Sequence, residues 1–141
     1  MLKQVSIFAE NKAGRVHAIM ETLAKSEINV RAMAIAETAE FGIVRLIVNE
    51  PEKAKSVLRE NGFTAKITDV VGVTVPDKFG ALCEVVRILG ENNVNIEYSY
   101  SLMGCRHGNA NILIRVKDSE KAAAILSQAG VKLFTQDDLS S

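Results

Sequence analysis

Val5, Ile7 and Ala9 recur at every second position, the period of a half-buried strand. After Asn11-Lys12-Ala13-Gly14 the spacing changes. Val16, Ile19, Met20 and Leu23 follow i, i+3, i+4, i+7 and predict one apolar face of a helix. From Ile28 to Ala36 the period returns to two, and the Val and Ile content predicts a second strand. Phe41-Gly42 reads as a hairpin turn, after which Ile43 to Val48 predicts a third strand. Pro51 suits the first turn of a second helix, where its missing N–H costs nothing. Ala54, Val57 and Leu58 supply that helix with its stripe. Gly62 ends it, because the residue after a helix often needs a left-handed conformation that glycine adopts freely. Phe63 to Thr68 closes the unit as a strand. The order β-α-β-β-α-β is the split βαβ, ferredoxin-like arrangement: an antiparallel sheet with two helices on one face.

This pattern occurs twice. Gly14 matches Gly80 at an offset of 66, and with it Asn11 matches Asp77, Lys12 matches Lys78 and Leu23 matches Leu89. Ile28-Asn29-Val30 falls on Val94-Asn95-Ile96. Further along the offset is 68, so that Glu52-Lys53-Ala54 falls on Glu120-Lys121-Ala122 and Gly62 on Gly130. The two extra residues sit near Gly104-Cys105-Arg106-His107-Gly108, in a loop where insertions are tolerated. Leu82, Val85, Val86 and Leu89 repeat the helical spacing of the first copy. The expected fold class is therefore α+β, two ferredoxin-like βαββαβ repeats, with domains at 1–68 and 69–141. A unit this small buries only about 60% of its unfolded surface. Ile43 to Val48 and Ile112-Leu113-Ile114 are apolar enough for strands covered on both sides. The copies are accordingly expected to pair within the chain, and two chains to pair again as a homodimer.

Composition narrows the function without naming it. The 141 residues carry 17 Lys+Arg against 17 Asp+Glu, a balance that argues against nucleic acid as a partner. Hydrophobic residues at 48% and charged residues at 24% are ordinary for a globular protein. No apolar run reaches about 18 residues, so no membrane partner is expected, and Met-Leu-Lys-Gln-Val-Ser leads directly into the alternating pattern without a signal peptide. A cytoplasmic location follows. Cys83 and Cys105 form no CxxC and read as reduced thiols, Cys83 as a small core hydrophobe on its helix. Cys105-Arg106-His107 offers two ligands where structural zinc takes four, and reads as a plain hairpin loop. His17, in the first turn of a helix with nothing nearby to complete a pair, reads as a surface residue. There is no GxSxG, HExxH or P-loop. We expect no catalytic residue, no metal and no cofactor.

What recurs is a strand–loop–helix junction, Phe8-Ala9-Glu10-Asn11-Lys12-Ala13-Gly14-Arg15-Val16 and Thr74-Val75-Pro76-Asp77-Lys78-Phe79-Gly80-Ala81-Leu82. A helix N-terminus carries free N–H groups and about half a positive charge, which suits a carboxylate. Glycine lets a ligand approach the backbone, and Asn11 or Asp77 can accept a hydrogen bond from an ammonium. A free amino acid has both groups. The plainer reading is that Asn11 and Asp77 shape the turn and cap the helix. Asn29 and Asn95 recur at a strand entry, where asparagine is depleted. Either they serve the helix–strand turn, where asparagine tolerates the left-handed region, or their amides complete a pocket on a neighbouring domain.

The repeated unit, its Asn/Asp-Lys-x-Gly loop and its later x-Asn-Ile/Val strand entry together resemble the ACT domain, a small regulatory module that binds amino acids. The whole chain resembles stand-alone tandem ACT proteins. That resemblance implies ligands at interfaces between paired domains, one giving the helix-opening loop and its partner the strand-entry asparagine. By position the loop residues are Asn11, Ala13, Gly14, Arg15 and Val16, then Asp77, Phe79, Gly80, Ala81 and Leu82. The strand-entry residues are Asn29 with Val30 and Asn95 with Ile96. The residue before the glycine, often Pro in the family, is Ala13 in one copy and Phe79 in the other. Along the second strand Ala32 and Ala34 align with Tyr98 and Tyr100, while Met33 and Ile35 align with Ser99 and Ser101, an asymmetry that sets the copies apart. The resemblance implies a non-catalytic sensor of a free amino acid that regulates an enzyme of amino-acid metabolism. The alternative is a ligand-independent regulatory subunit with a vestigial pocket.

Overall fold

The structure is a computed structural model that describes residues 1–37, 41–104 and 108–139. The chain divides into two compact units: residues 3–68 with 139–141, and residues 1–2 with 69–138. Both contain the antiparallel βαββαβ arrangement expected from the sequence.

In the first unit β1 (Leu2–Glu10) leads to α1 (Arg15–Lys25), then β2 (Val30–Glu37), β3 (Phe41–Val48) and α2 (Pro51–Glu60). The next strand, β4 (Thr64–Pro76), does not stop at Thr68 but runs on as the first strand of the second unit. The strand order in the first unit is β2-β3-β1-β4. Register places Val5 opposite Leu46 and Ile7 opposite Val44, so one parity gathers beneath both helices. There Val5, Ile7, Val44 and Leu46 pack with Ile19 and Leu23 of α1 and Ala54 and Leu58 of α2. Each fully buried aliphatic side chain contributes on the order of 2 kcal/mol. The other parity is also covered in places, since Gln4, Ile47 and Ala32 lie side by side across three strands and all are buried. On that face the Gln4 amide donates to Ser6 Oγ at 3.1 Å, which keeps a buried polar group satisfied.

In the second unit β4 is followed by α3 (Ala81–Glu91), β5 (Tyr98–Ser101), β6 (Asn109–Arg115), α4 (Ser119–Gln128) and β7 (Lys132–Phe134). A short 3-10 turn spans Gln136–Leu139. β4 pairs with β6 on one side and β7 on the other, and β5 pairs with β6. The core repeats the first: Val71, Val73 and Val75 with Val85, Ile88, Leu89, Ile114, Ala122 and Leu126. On the face away from the helices, Gly72 leaves room that Leu2 and Phe134 fill, with atoms 2.4 and 2.7 Å from where a Cβ would stand.

Three expectations are corrected. Phe41 and Gly42 are not a turn but the start of β3, paired with Glu10 and Ala9. Cys83 is exposed rather than buried. The buried side of α3 is Val85, Ile88 and Leu89, and a residue two positions before Val85 lies roughly 200° around the helix, pointing outward. Leu82 and Val86 are correspondingly 46% exposed each. The left-handed residues of the helix–strand turns are Glu27 and Asn93, not Asn29 and Asn95. Glu27 N–H donates to Ala24 and Ile28 N–H to Leu23, and Asn93 and Val94 do the same to Gly90 and Leu89. These paired bonds form the Schellman C-cap, in which the left-handed residue stands immediately before the last donor. Cys105-Arg106-His107 lies outside the described residues.

Candidate functional site

The two helix-opening loops share one backbone geometry. Lys12 N–H donates to Glu10 and Lys78 N–H to Pro76, both at 2.9 Å, closing three-residue turns centred on Asn11 and Asp77. Arg15 N–H then donates to Lys12 and Ala81 N–H to Lys78, both at 3.3 Å. The third residue of that second turn is Gly14 (φ 89°, ψ −14°) or Gly80 (φ 82°, ψ −9°), the values of a type II turn that only glycine adopts cheaply. Ala13 and Phe79 occupy the position where such turns favour proline, which accounts for the family's habit there. The helix N-cap is thus Gly14 or Gly80, three residues after Asn11 or Asp77, so neither polar side chain stands at the capping position. Helix α4, by contrast, is capped by Asp118, whose side chain accepts from Lys121 N–H at 3.1 Å.

The surroundings of the two loops differ. In the first, the Asn11 amide donates to Glu37 Oε2 at 3.2 Å, and Lys12 Nζ lies 3.1 Å from Glu10 Oε2. That hydrogen bond holds the Glu10 carboxyl below its ordinary value. The Arg15 guanidinium sits over the Phe63 ring, 5.3 Å from its centre, a cation–π contact. His17 is exposed and lies 3.5 Å from Glu21. In the second loop Asp77 N–H donates to Gly108 at 2.9 Å, and Phe79 is fully exposed.

Around Gly80 the second unit encloses a cavity of about 600 Å³. The end of β4, the opening of α3, the start of β6 and the turn from α4 to β7 form its wall. Phe79, Gly80 and Ala81 are at this cavity, as expected of site residues, whereas Asp77, Leu82, Asn95 and Ile96 are not among its lining. Asn29 is exposed and exchanges backbone contacts with Asn49, donating to Asn49 Oδ1 at 3.0 Å and accepting from its N–H at 3.2 Å. Val30 packs against the first core. Sequence reasoning missed Phe63, Val131 and Lys132, which come from the second helix–strand turn of each copy. Their signal was the change from Phe63 to Val131 at matched positions. Among the described residues no cluster of three or more His, Cys, Asp or Glu side chains is placed to hold a metal, and no helix is long and apolar enough to cross a membrane.

A family model described as an ACT domain pair matches residues 1–141. The chain belongs to this family. The ACT pair fold also recurs in solved structures. A protein from Bacteroides thetaiotaomicron is 44% identical with a TM-score of 0.92, over 99% of this chain and 96% of that one. The regulatory subunit of aspartate kinase from Thermus thermophilus, in its ligand-free form, is 16% identical with a TM-score of 0.63, over 90% and 91% of the two chains. Its counterpart from Thermus flavus is 14% identical with a TM-score of 0.61, over 92% and 94%. At such identities the aspartate kinase subunits share the fold. No curated protein matches the chain.

Proposed function

We propose that this ACT domain pair is a non-catalytic, cytoplasmic regulatory protein that senses a free amino acid. The observation that carries the reading is the duplicated loop: both copies keep the same two turns, the left-handed glycine and a helix N-terminus opened by that glycine. The first-turn N–H groups of α1 and α3 suit a carboxylate. In the first copy the Asn11 carbonyl oxygen and the Glu37 carboxylate beside it suit an ammonium. Asn11, Ala13, Gly14, Arg15 and Val16 form one proposed site, and Asp77, Phe79, Gly80, Ala81 and Leu82 the other. Asn29 with Val30 and Asn95 with Ile96 contribute from a paired domain. A homodimer and an enzyme of amino-acid metabolism are the proposed partners. The ligand acts by binding one arrangement of the assembly more tightly than another, which is the only way it can shift an equilibrium.

A thermal-shift series of the full chain against the common amino acids tests this. Ligand at ~100 times its dissociation constant stabilises by about 2.7 kcal/mol. The expected result is a stereospecific shift abolished by Asn11→Ala or Asp77→Ala. A flat response to every amino acid would refute the sensor. It would leave the second reading, a ligand-independent regulatory subunit, which one observation favours: in the first copy Arg15 already rests on Phe63 and Asn11 on Glu37.

A further inference from the structure

The cavity beside Gly80 has a counterpart position in the first copy, and comparing the two shows what opened it. At the offsets of the repeat, Ala81 stands where the first copy has Arg15, and Val131 where it has Phe63. Arg15 and Phe63 are the two side chains stacked on each other over the opening of α1. Exchanging a guanidinium and a phenyl ring for two small aliphatic groups removes the plug. The resulting volume, about 600 Å³, falls within the ~300–1,000 Å³ usual for small-molecule sites.

The lining states what would fill it. Val75, Val85, Ile88 and Val131 give an apolar wall. Three charged side chains border it: Lys78, Lys132 and Glu84. Glu84 is already matched, since Arg87 donates to it from both Nε and Nη2 and holds its carboxyl below the ordinary value. Neither ammonium group, of Lys78 or of Lys132, has an ion-pair or hydrogen-bond partner among the described residues. The cavity therefore presents aliphatic surface and unspent positive charge, and no free carboxylate to receive an amine.

We infer that the second copy alone binds a small aliphatic carboxylate inside its own βαββαβ unit, with the acid group between Lys78 and Lys132 and the hydrocarbon against Val85, Ile88 and Val131. The amino group of an apolar amino acid is not required there, so the keto acid of the same side chain fits as well. This deepens the sensor reading and rests on it only in supposing that a ligand binds this half of the chain.

The experiment titrates the full chain with isocaproate by calorimetry, with isocaproamide as the uncharged match, and leucine and its keto acid as the two natural sources. Isocaproate should saturate one site per chain with a dissociation constant on the order of 1 mM or tighter, and the amide should bind at least ~10-fold more weakly. Ala81→Arg combined with Val131→Phe rebuilds the plug and should abolish binding. Lys132→Gln, an exposed change that leaves the core untouched, should weaken isocaproate by ~10-fold and the amide little. Equal binding of acid and amide, unchanged binding in the plugged chain, or no saturable binding to the native chain would each overturn the inference. An amino-acid thermal shift that survives the plug would overturn this site and leave the sensor standing. Isocaproate and keto-acid binding without any response to amino acids would support the site and refute the sensor.

Discussion

Residues 10–15 and 76–81 trace the same path, but the first is closed over by its own side chains and the second stands open. Arg15 on Phe63 and Asn11 on Glu37 use up the groups that a ligand would need in the first copy. Ala81 and Val131 leave the second with an unfilled cavity and two unpaired lysines. The difference teaches that the backbone of such a loop is set by a few positions, Gly14 and Gly80 above all, while its chemistry is set by side chains that reach it from another turn. Duplication preserved the scaffold and let the two sites part.

The cores are the harder test of how alike the copies are. Leu23 and Leu89 are matched, fully buried and helix-borne, so Leu23→Ala and Leu89→Ala should each lower unfolding stability by about 2–5 kcal/mol. A chemical-denaturation series would read both, and a loss confined to one of them would break the equivalence of the two cores. Ser6 and Gly72 sharpen the contrast, because they are matched positions filled in opposite ways. Ser6 is bonded to Gln4, whereas Gly72 is overlain by Leu2 and Phe134. Gly72→Ser should therefore cost about 1–3 kcal/mol by overpacking, measured in the same series. The smallest effect belongs to the helix ends. Glu27 and Asn93 both take the left-handed conformation, at φ 57° and 59°, but asparagine tolerates it better. Glu27→Gly should stabilise the chain by about 0.5–1 kcal/mol, and Asn93→Gly by less, seen as a rise in the unfolding midpoint.

Much of this fold was legible because period reports element type. The alternation at Val5, Ile7 and Ala9 and the spacing at Val16, Ile19, Met20 and Leu23 mark a strand and a helix, and the repeat doubles the evidence. Phase was harder to read than period. Leu82 and Val86 belong to an apolar stripe by spacing, yet α3 turns Val85, Ile88 and Leu89 inward. In β5, Ser99 and Ser101 share the face of Ile114 and Ile112, so that strand offers α3 no large apolar partner there. Gly42 looked like a turn because glycine punctuates loops, but pairing with Ala9 and Ala36 holds it in the sheet. Glu27 gave no sign of a left-handed residue, since its type rarely adopts one and the cap is imposed by the bonds around it. At the site, Gly14, Gly80 and their neighbours could be named from the loop alone. Phe63, Val131 and Lys132 could not, because only the folded chain brings that turn to the helix opening.

The exchange of chain ends between the units has a consequence for taking the molecule apart. Leu2 belongs with residues 69–138 and Leu139 with residues 3–68, while a single strand, β4, carries the chain from one unit to the other. Severing that strand yields fragments that each lack something they bury. The latter half keeps Gly72 and Phe134 without the leucine that fills the hollow between them. The former half loses the Leu139 carbonyl to which Arg31 donates at 3.1 Å. Neither piece is a portable module, and each is completed by the other, so the protein is suited to reconstitution from two halves whose reassembly could serve as a reporter of proximity.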